Sequence, residues 1–377
     1  MAVVKANAYG HDLAVITRIL HESKTNNSRM WYGVDNLDEA RIVLAIVPTA
    51  KVLILGYTQN ERLKEAAKLG ARLTVYNWET VRALQKFFGV ASESSRRRTL
   101  SGATPLRVHM KVETGTTRQG IAESDVVEYV KTLKKLRGVT VEGISTHFAD
   151  SEDIASDYAI QQLERYNSVI KRLHGAGLDV PVQHAACTAA TLRLPQTHGN
   201  LVRIGIGMYG LWPSEDMRTH MQNVVRPFKV ALGDAKASHY TGNIDLRPVL
   251  TWKTIVAQVK KVKKGTPVGY DLTERVECNS KIVVLPIGYF DGYDRGLSKI
   301  GYVLIGGKRC KIVGRVCMNM CMADITDVGH IKPEDEVVLL GAQGREAISA
   351  DEIAKQLGTI NYEVITRISG QLPRVVI

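Results

Sequence analysis

The chain has 377 residues, 45% hydrophobic and 23% charged. At about 150 residues per domain, that length points to two domains, and the balance excludes a disordered chain, a collagen-like fibre and a disulfide scaffold. Lys and Arg number 50 against 38 Asp and Glu, a net charge of +12, which suits nucleic acid, a phosphorylated cofactor or a carboxylate substrate. Most basic residues are scattered. The runs Arg96–Arg98, in a Ser-rich stretch, and Lys260–Lys264 read as solvated loop or strand ends, so no nucleic-acid partner is expected. The longest apolar stretch, Ile42–Gly56, is broken by Pro48 and Lys51, and no run approaches the roughly 20 residues of a membrane-spanning helix. Met1–Lys5 is too short for a signal peptide. The five cysteines include no C-x-x-C pair, and Cys310, Cys317 and Cys321 match no zinc spacing. Together these features predict a soluble cytoplasmic protein without metal, membrane or nucleic-acid partners.

In chain order, the predicted strands of the first part are Met1–Ala6, Trp31–Asp35, Lys51–Gly56, Arg72–Tyr76, Leu106–Glu113, Val139–Thr146, Val180–Ala185 and Asn200–Ile206. Helical patterns separate them. One carries Ala159, Leu163, Tyr166, Ile170 and Leu173 at helical spacing, with Ser156 as N-cap and Gly175 as stop. Asn60–Leu69 ends at Gly70, and Asn36 with Glu39 opens a third. Eight strands alternating with helices over about 200 residues is the pattern of a parallel (β/α)8 TIM-like barrel. A doubly wound open sheet is the alternative, normally with fewer strands. In a barrel, catalytic residues sit at the C-terminal strand ends, and phosphate binds after strands seven and eight.

Beyond about residue 222 short β-branched runs take over: Val249–Val262, Lys281–Leu285, Tyr302–Ile305, Cys310–Val316 and Glu336–Leu340. Glycines punctuate them, which reads as a mostly-β second domain. One helix interrupts it, opened by Ser349 with Glu352 three residues on. The expected boundaries are 1–222 and 223–377, with Lys229–Leu246 as a polar excursion. That stretch and Arg96–Pro105 are longer than ordinary loops.

The first strand places Lys5 near its C-terminal end, within AVVKANAYGH. A lysine held in a partly apolar site has a lowered pKa and can condense with an aldehyde. AVVKANAYGH resembles the signature of the alanine racemases, fold-type III enzymes that use pyridoxal 5′-phosphate (PLP). The segments VHMKVETGTTRQGI, EGISTHFA, NLVRIGIGMYGLWPS, VLTWKT, GTPVGYD, LPIGYFDGY, GRVCMNMCM and TINYEV are similar in turn. The resemblance therefore runs almost from end to end. It implies an N-terminal barrel, a C-terminal β domain and a homodimer in which each active site is completed by the partner's second domain. The implied activity interconverts L- and D-alanine, supplying D-alanine for peptidoglycan.

By motif, the resemblance gives Lys5 the task of holding PLP and acting on one face of the substrate, with Tyr270 of the other subunit as base on the opposite face. A free phenol has a pKa near 10, and His147 resembles the histidine that supports the tyrosine. Arg203 matches the arginine that contacts the pyridine nitrogen, where most PLP enzymes place a carboxylate. Gly205-Ile206-Gly207-Met208-Tyr209-Gly210 spells G-x-G-x-x-G, but it ends a strand instead of opening a βαβ unit, and Pro213 interrupts any following helix. Gly205 and Ile206 instead match the amides that meet the PLP phosphate, with Tyr9, Tyr362 and Thr188 as hydroxyl contacts. Arg118 matches the arginine of the phenolic oxygen and substrate carboxylate, and Lys111 a lysine often carbamylated. Tyr289 and Met318 fall where the family narrows its substrate pocket.

Three features depart from the family pattern. The family carries a strand and helix before the segment at which this chain starts. Cys187 stands where asparagine is common, and Asn319 where aspartate is usual. An asparagine there also resembles serine racemase domains, since an amide can donate to a hydroxyl. Arg203 and Tyr270 argue against a related decarboxylase, and the second domain against a PLP carrier.

Overall fold

The protein is described by a computed structural model covering residues 1–23, 30–90, 105–223, 228–229, 239–240 and 244–377. The Arg96–Arg98 run and most of Lys229–Leu246 lie outside the described residues. Contacts divide the chain into two units, Met1–Ala8 with Leu13–Arg247, and Tyr9–Asp12 with Pro248–Ile377.

The first unit is a curled, TIM-like sheet of seven parallel strands in sequential order. They are β1 (Ala2–Val3), β2 (Trp31–Val34), β3 (Lys51–Ile54), β4 (Arg72–Val75), β5 (Leu106–Lys111), β6 (Val139–Ser145) and β7 (Val182–His184). Between them run helices whose ends are set locally. Asn36 caps Leu37–Ile46 by accepting from the amides of Asp38 and Glu39, and Gly70 stops Leu63–Leu69 in the left-handed conformation. The helix Tyr158–Gly175 buries Ala159, Leu163, Tyr166, Val169 and Leu173, so Val169 takes the core position expected of Ile170. Ser156 is not its N-cap residue; Asp157 is, while the Ser156 hydroxyl accepts from Tyr158 N at 3.3 Å.

The expected eighth strand, Asn200–Ile206, is reduced to a single bridge. Ile204 pairs in parallel with Ala2, its amide donating to Met1 O at 2.9 Å and its carbonyl accepting from Val3 N at 2.8 Å, while Arg203 N donates to Ala186 O at 3.0 Å. Its neighbours β1 and β7 are only two and three residues long, so no longer ladder can form beside them. Along β5, polar Arg107, His109 and Lys111 alternate with buried Val108 and Met110, which gathers the polar set on one face.

The second unit is antiparallel. β10 (Trp252–Ile255), β16 (Glu336–Gln343), β13 (Tyr302–Ile305) and β14 (Lys308–Lys311) form one sheet, with β17 (Glu346–Ile348) paired to β16. β11 (Gln258–Val262), β12 (Ser280–Leu285) and β15 (Cys321–Asp324) form another. The run Val249–Val262 is thus two strands in different sheets, divided at Val256 and Ala257. Of the first unit's closing segment, β8 (Phe228–Lys229) pairs with β9 (His239–Tyr240). Ser349 caps the helix Ala350–Leu357 by accepting from Glu352 N at 3.0 Å.

The largest departure from sequence expectation follows Lys5. The first strand stops at Val3 because the backbone enters a left-handed turn: Ala6, Asn7 and Ala8 have φ of 54°, 53° and 53° and ψ of 51°, 48° and 50°, and Tyr9 has φ 53°. Such a conformation costs about 1–2 kcal/mol for each non-glycine residue. Tertiary bonds hold it. Asn7 N donates to Glu39 Oε1 at 3.0 Å, and Asn7 Oδ1 accepts from Leu13 N at 2.9 Å. Because Ala6 is exposed, Ala6→Gly removes strain without removing packing. The expected result is a gain of about 1 kcal/mol in unfolding free energy, read from the urea midpoint, where an ordinary helix position would lose a similar amount.

Candidate active site

Arg203 lies at the centre of the first unit and is only 7% exposed. Its Nη1 donates to His184 Nδ1 at 2.6 Å and to His184 O at 2.8 Å. Its Nη2 reaches Ala185 O at 2.7 Å, Thr146 O at 2.8 Å and His147 Nδ1 at 3.3 Å. Both Nη atoms are therefore engaged, while Nε takes part in none of the recorded bonds among the described residues. A guanidinium has no acceptor, so Nε–H is its one donor left for a ligand. The residue stays protonated despite burial, because its ordinary pKa exceeds about 12.

Around it gather the other basic residues picked from the sequence. Burial first, then the charges of Arg203, Lys111, Arg118 and Lys5, hold His147 well below the ordinary imidazole value. The same surroundings act on Lys111: burial, then Arg203, Arg118 and Lys5, lower its ammonium to about 7. Lys5, Lys111, Arg118, His147 and Arg203 thus share one electropositive neighbourhood.

Three residues there escaped sequence reasoning. Glu113 Oε1 accepts from the amides of Gly115 and Thr116, both at 2.6 Å, and its Oε2 from Arg118 N at 3.2 Å, so one carboxylate shapes the loop that carries Arg118. A Glu just ahead of a Thr-Gly-Thr-Thr turn was the available signal. Gln119 accepts from Lys111 Nζ at 3.0 Å and donates to Tyr76 OH at 3.3 Å.

At the end of the eighth segment, Thr188 Oγ1 accepts from Gly205 N at 3.0 Å and Gly207 N at 3.4 Å. The chain then enters a short 3-10 turn, Ile206–Tyr209. A Cβ at Gly207 would lie 2.6 Å from Thr188 Cγ2, so only glycine permits this approach. With the Gly205 and Gly207 amides turned on Thr188 Oγ1, the Thr188 hydroxyl hydrogen and the Ile206 amide are the donors of this turn suited to phosphate. Cys187 Sγ lies 3.1 Å from Ser151 Oγ.

The remaining predicted residues belong to the second unit. The rings of Tyr9 and Tyr362 are 6.2 Å apart. Tyr270 is 69% exposed, Met318 54% and Tyr289 42%, and Asn319 is exposed. Their loops are tied together: Tyr289 N and Phe290 N donate to Cys317 O and Met318 O, both at 3.0 Å, and Arg315 pairs with Asp271 at 2.8 Å. Asp271 and Leu272, beside Tyr270, have φ of 61° and 50°, left-handed strain that the ion pair helps hold.

The buried imidazoles set an acid limit. His184 and His147 sit well below the ordinary 6.5 and His109 below it, in each case chiefly through burial. As pH falls through about 6.5, the unfolded chain takes up protons that the folded barrel refuses, so stability falls. Lys111 acts in the same sense between about 7 and 10.5. Urea midpoints of the unloaded protein are expected to decline from pH about 8 to about 5.5, before ordinary carboxylates titrate.

The chain matches known proteins throughout its length. Residues 1–213 match the alanine racemase N-terminal domain family and residues 249–376 the alanine racemase C-terminal domain family. Alanine racemase of Methanococcus maripaludis is 35% identical over 381 residues, covering 100% of this chain and 91% of the relative. That of Carboxydothermus hydrogenoformans is 37% identical, covering 100% and 92%. A crystal structure of alanine racemase from Bacillus anthracis with bound L-Ala-P superposes with a TM-score of 0.83 at 34% identity, covering 98% of this chain and 85% of that one. With both family domains matched in order and a solved relative of the same fold, the chain belongs to the alanine racemase family, PLP-dependent amino-acid racemases.

Proposed function

We propose that this protein interconverts L- and D-alanine by exchanging the Cα proton between two bases, Lys5 on one face and Tyr270 of a second copy on the other. The observation that carries the reading is the electropositive cluster around buried Arg203, whose one unshared donor among the described residues is Nε–H. Bound PLP supplies an electron-withdrawing ring that makes the Cα proton of an amino acid removable. The cationic and N–H donor groups around Arg203 suit that anionic, nitrogen-bearing molecule.

Lys5 holds the cofactor aldehyde, and its amine, once free, takes or returns the proton on its own face. Arg203 donates through Nε to the ring nitrogen. Thr188, the Ile206 amide and the hydroxyls of Tyr9 and Tyr362 would receive the phosphate, and Gly205 N would join them by exchanging its bond to Thr188. Arg118 faces the phenolic oxygen and the substrate carboxylate. Tyr270 serves the opposite face. His147 is held neutral, with Nδ1 accepting from Arg203 Nη2 at 3.3 Å, so its proton sits on Nε2, the atom available to donate a hydrogen bond to the phenol oxygen and ease its ionisation. Met318 and Tyr289 narrow the pocket, and Asn319 lies beside the substrate side chain.

The shared site requires a homodimer. Supporting it, Tyr270, Leu272, Tyr289, Phe290, Met318 and Met320 are exposed by 69, 61, 42, 56, 54 and 48% on loops bonded to one another, the kind of apolar surface that marks a protein contact. No helix among the described residues is long and apolar enough to cross a membrane. A cytoplasmic enzyme supplying D-alanine for peptidoglycan fits this reading. Asn319 favours serine as a second substrate, because its amide donates to a hydroxyl.

Incubation with L-alanine and L-serine separately, followed by chiral analysis, tests the substrate. Alanine is expected to racemise faster; no D-enantiomer from either rejects the function. Lys5→Ala is expected to remove the cofactor's absorbance band near the visible edge. Tyr270→Phe is expected to suppress solvent-deuterium exchange into one alanine enantiomer far more than the other, and equal, unchanged exchange from both would refute the two-base assignment.

Lys111, with an ammonium lowered to about 7, is largely a neutral amine under mildly basic conditions. Its nitrogen can add carbon dioxide, forming an N–C bond and releasing one proton, and the resulting carbamate would orient Arg118. Protein equilibrated with ¹³C-bicarbonate is expected to show a carbamate carbon signal that Lys111→Ala abolishes; a signal that persists assigns the adduct elsewhere.

A further inference from the structure

The two-base reading leaves a second polar run in the barrel without a task. It begins where Arg203 Nη1 meets His184 Nδ1 at 2.6 Å. His184 Nε2 lies 2.9 Å from His109 Nδ1, and His109 Nε2 lies 3.2 Å from Glu142 Oε2. Arg72 Nε donates to the same Glu142 oxygen at 2.7 Å, with its Nη2 3.4 Å and Arg107 Nε 3.5 Å from Oε1. His184 and His109 are 1% and 0% exposed. The Arg72 guanidinium lies 4.8 Å from the centre of the Trp31 ring, which meets His109 edge-on at 5.4 Å.

Two backbone features build this run. Val108 pairs with Val141 but His109 pairs with Gly143, so Glu142 is the extra residue of a β-bulge, a device that re-aims a side chain. A Cβ at Gly143 would lie 2.2 Å from His109 Nδ1; the glycine makes room for the ring.

The hydrogens have one consistent arrangement. Arg203 can only donate, so His184 Nδ1 is bare. A neutral His184 then carries its proton on Nε2 and donates to His109 Nδ1, and His109 donates from Nε2 to Glu142. Burial, with Arg203's charge behind it, holds His184 well below 6.5, and burial likewise lowers His109. Burial pushes the Glu142 carboxyl up, but hydrogen bonds from His109 and Arg72 outweigh it and leave a carboxylate. Protonating either ring would set two donors against each other.

We propose that Glu142 is a positioning residue for Arg203: through His109 and His184 its carboxylate keeps His184 Nδ1 bare, and so holds the guanidinium in the orientation that leaves Nε as its unshared donor. This rests on the role given above to Arg203. Removing the carboxylate should reverse the run. In Glu142→Gln the carbonyl oxygen can stand at the Oε2 place and still accept from both Arg72 and His109, whereas in Glu142→Leu the Arg72 guanidinium is left as a donor facing His109 Nε2. Both rings must then carry their protons on Nδ1, and His184 opposes Arg203 Nη1 donor to donor.

The test uses ¹⁵N-labelled protein without PLP. In the wild type, NMR is expected to find His109 and His184 neutral and protonated on Nε2 at neutral pH. In Glu142→Leu both should switch to Nδ1–H and the Arg203 Nε–H resonance should move, while Glu142→Gln keeps the wild-type pattern. With PLP and alanine, Glu142→Leu should lower kcat about tenfold, as outer partners of a site commonly do, with KM changed less than about twofold. Nδ1–H or doubly protonated rings in the wild type would overturn the proposal, even if the variant fails to fold. So would an Arg203 Nε–H resonance unmoved in Glu142→Leu. A wild type with the expected tautomers but no alanine turnover would reject the racemase reading alone, leaving the resonance shift to decide this one.

Discussion

A guanidinium buried inside a parallel barrel is the constraint on which the site depends. Removing such a charge from water is costly unless it is fully hydrogen-bonded. Arg203 is enclosed by three backbone carbonyls and two imidazole nitrogens, those of Thr146, His184 and Ala185 and the Nδ1 atoms of His184 and His147. Among the described residues no carboxylate touches it; the nearest in this network, Glu142, lies beyond two histidine rings. The positive charge therefore radiates into the pocket. After burial itself, it is the largest influence lowering His147, His184 and Lys111. Neutral imidazoles and a half-neutral lysine at one site are consequences of burial reinforced by one arginine, and they make a place for an anionic cofactor and a carboxylate substrate.

Backbone strain is concentrated next to the two residues proposed as bases. Lys5 leads into the left-handed turn from Ala6 to Tyr9, and Tyr270 is followed by left-handed Asp271 and Leu272. Such conformations persist only where surroundings over-determine them. Glu39 and Asn7 do so for the first, and Arg315 contributes for the second. The polar layer beneath the pocket uses another irregularity, the bulge at Glu142.

The second unit supplies a different kind of rigidity. Its antiparallel sheets carry the loops bearing Tyr270, Tyr289 and Met318, and direct backbone bonds link the loop of Tyr289 to that of Met318. Their apolar side chains are exposed although the strands beneath are well buried. A stable scaffold holding an apolar, strained and exposed edge is what a surface used by a second copy requires.

Local chemistry made much of this molecule legible. Asn36, Gly70 and Ser349 act within three or four residues of themselves, so their capping is written in the sequence, as is the alternation of strand and helix that gives the barrel. Lys5, His147 and Arg203 were visible as polar residues at strand ends, and the resemblance supplied roles for Thr188, Gly205 and Arg118. Tertiary structure decided the rest. The first strand gives way after Val3 because Glu39, 32 positions on, bonds Asn7; the eighth shrinks to one bridge because its neighbours are short; and Val249–Val262 divides between two sheets. His109 meets His184 across 75 positions and Glu142 across 33, and Arg72 meets Glu142 across 70. Hydrophobic periodicity reports only neighbours within a turn or a pleat. Which polar side chains share the concave side of the curled sheet depends on strand register, and register exists only once the strands have paired.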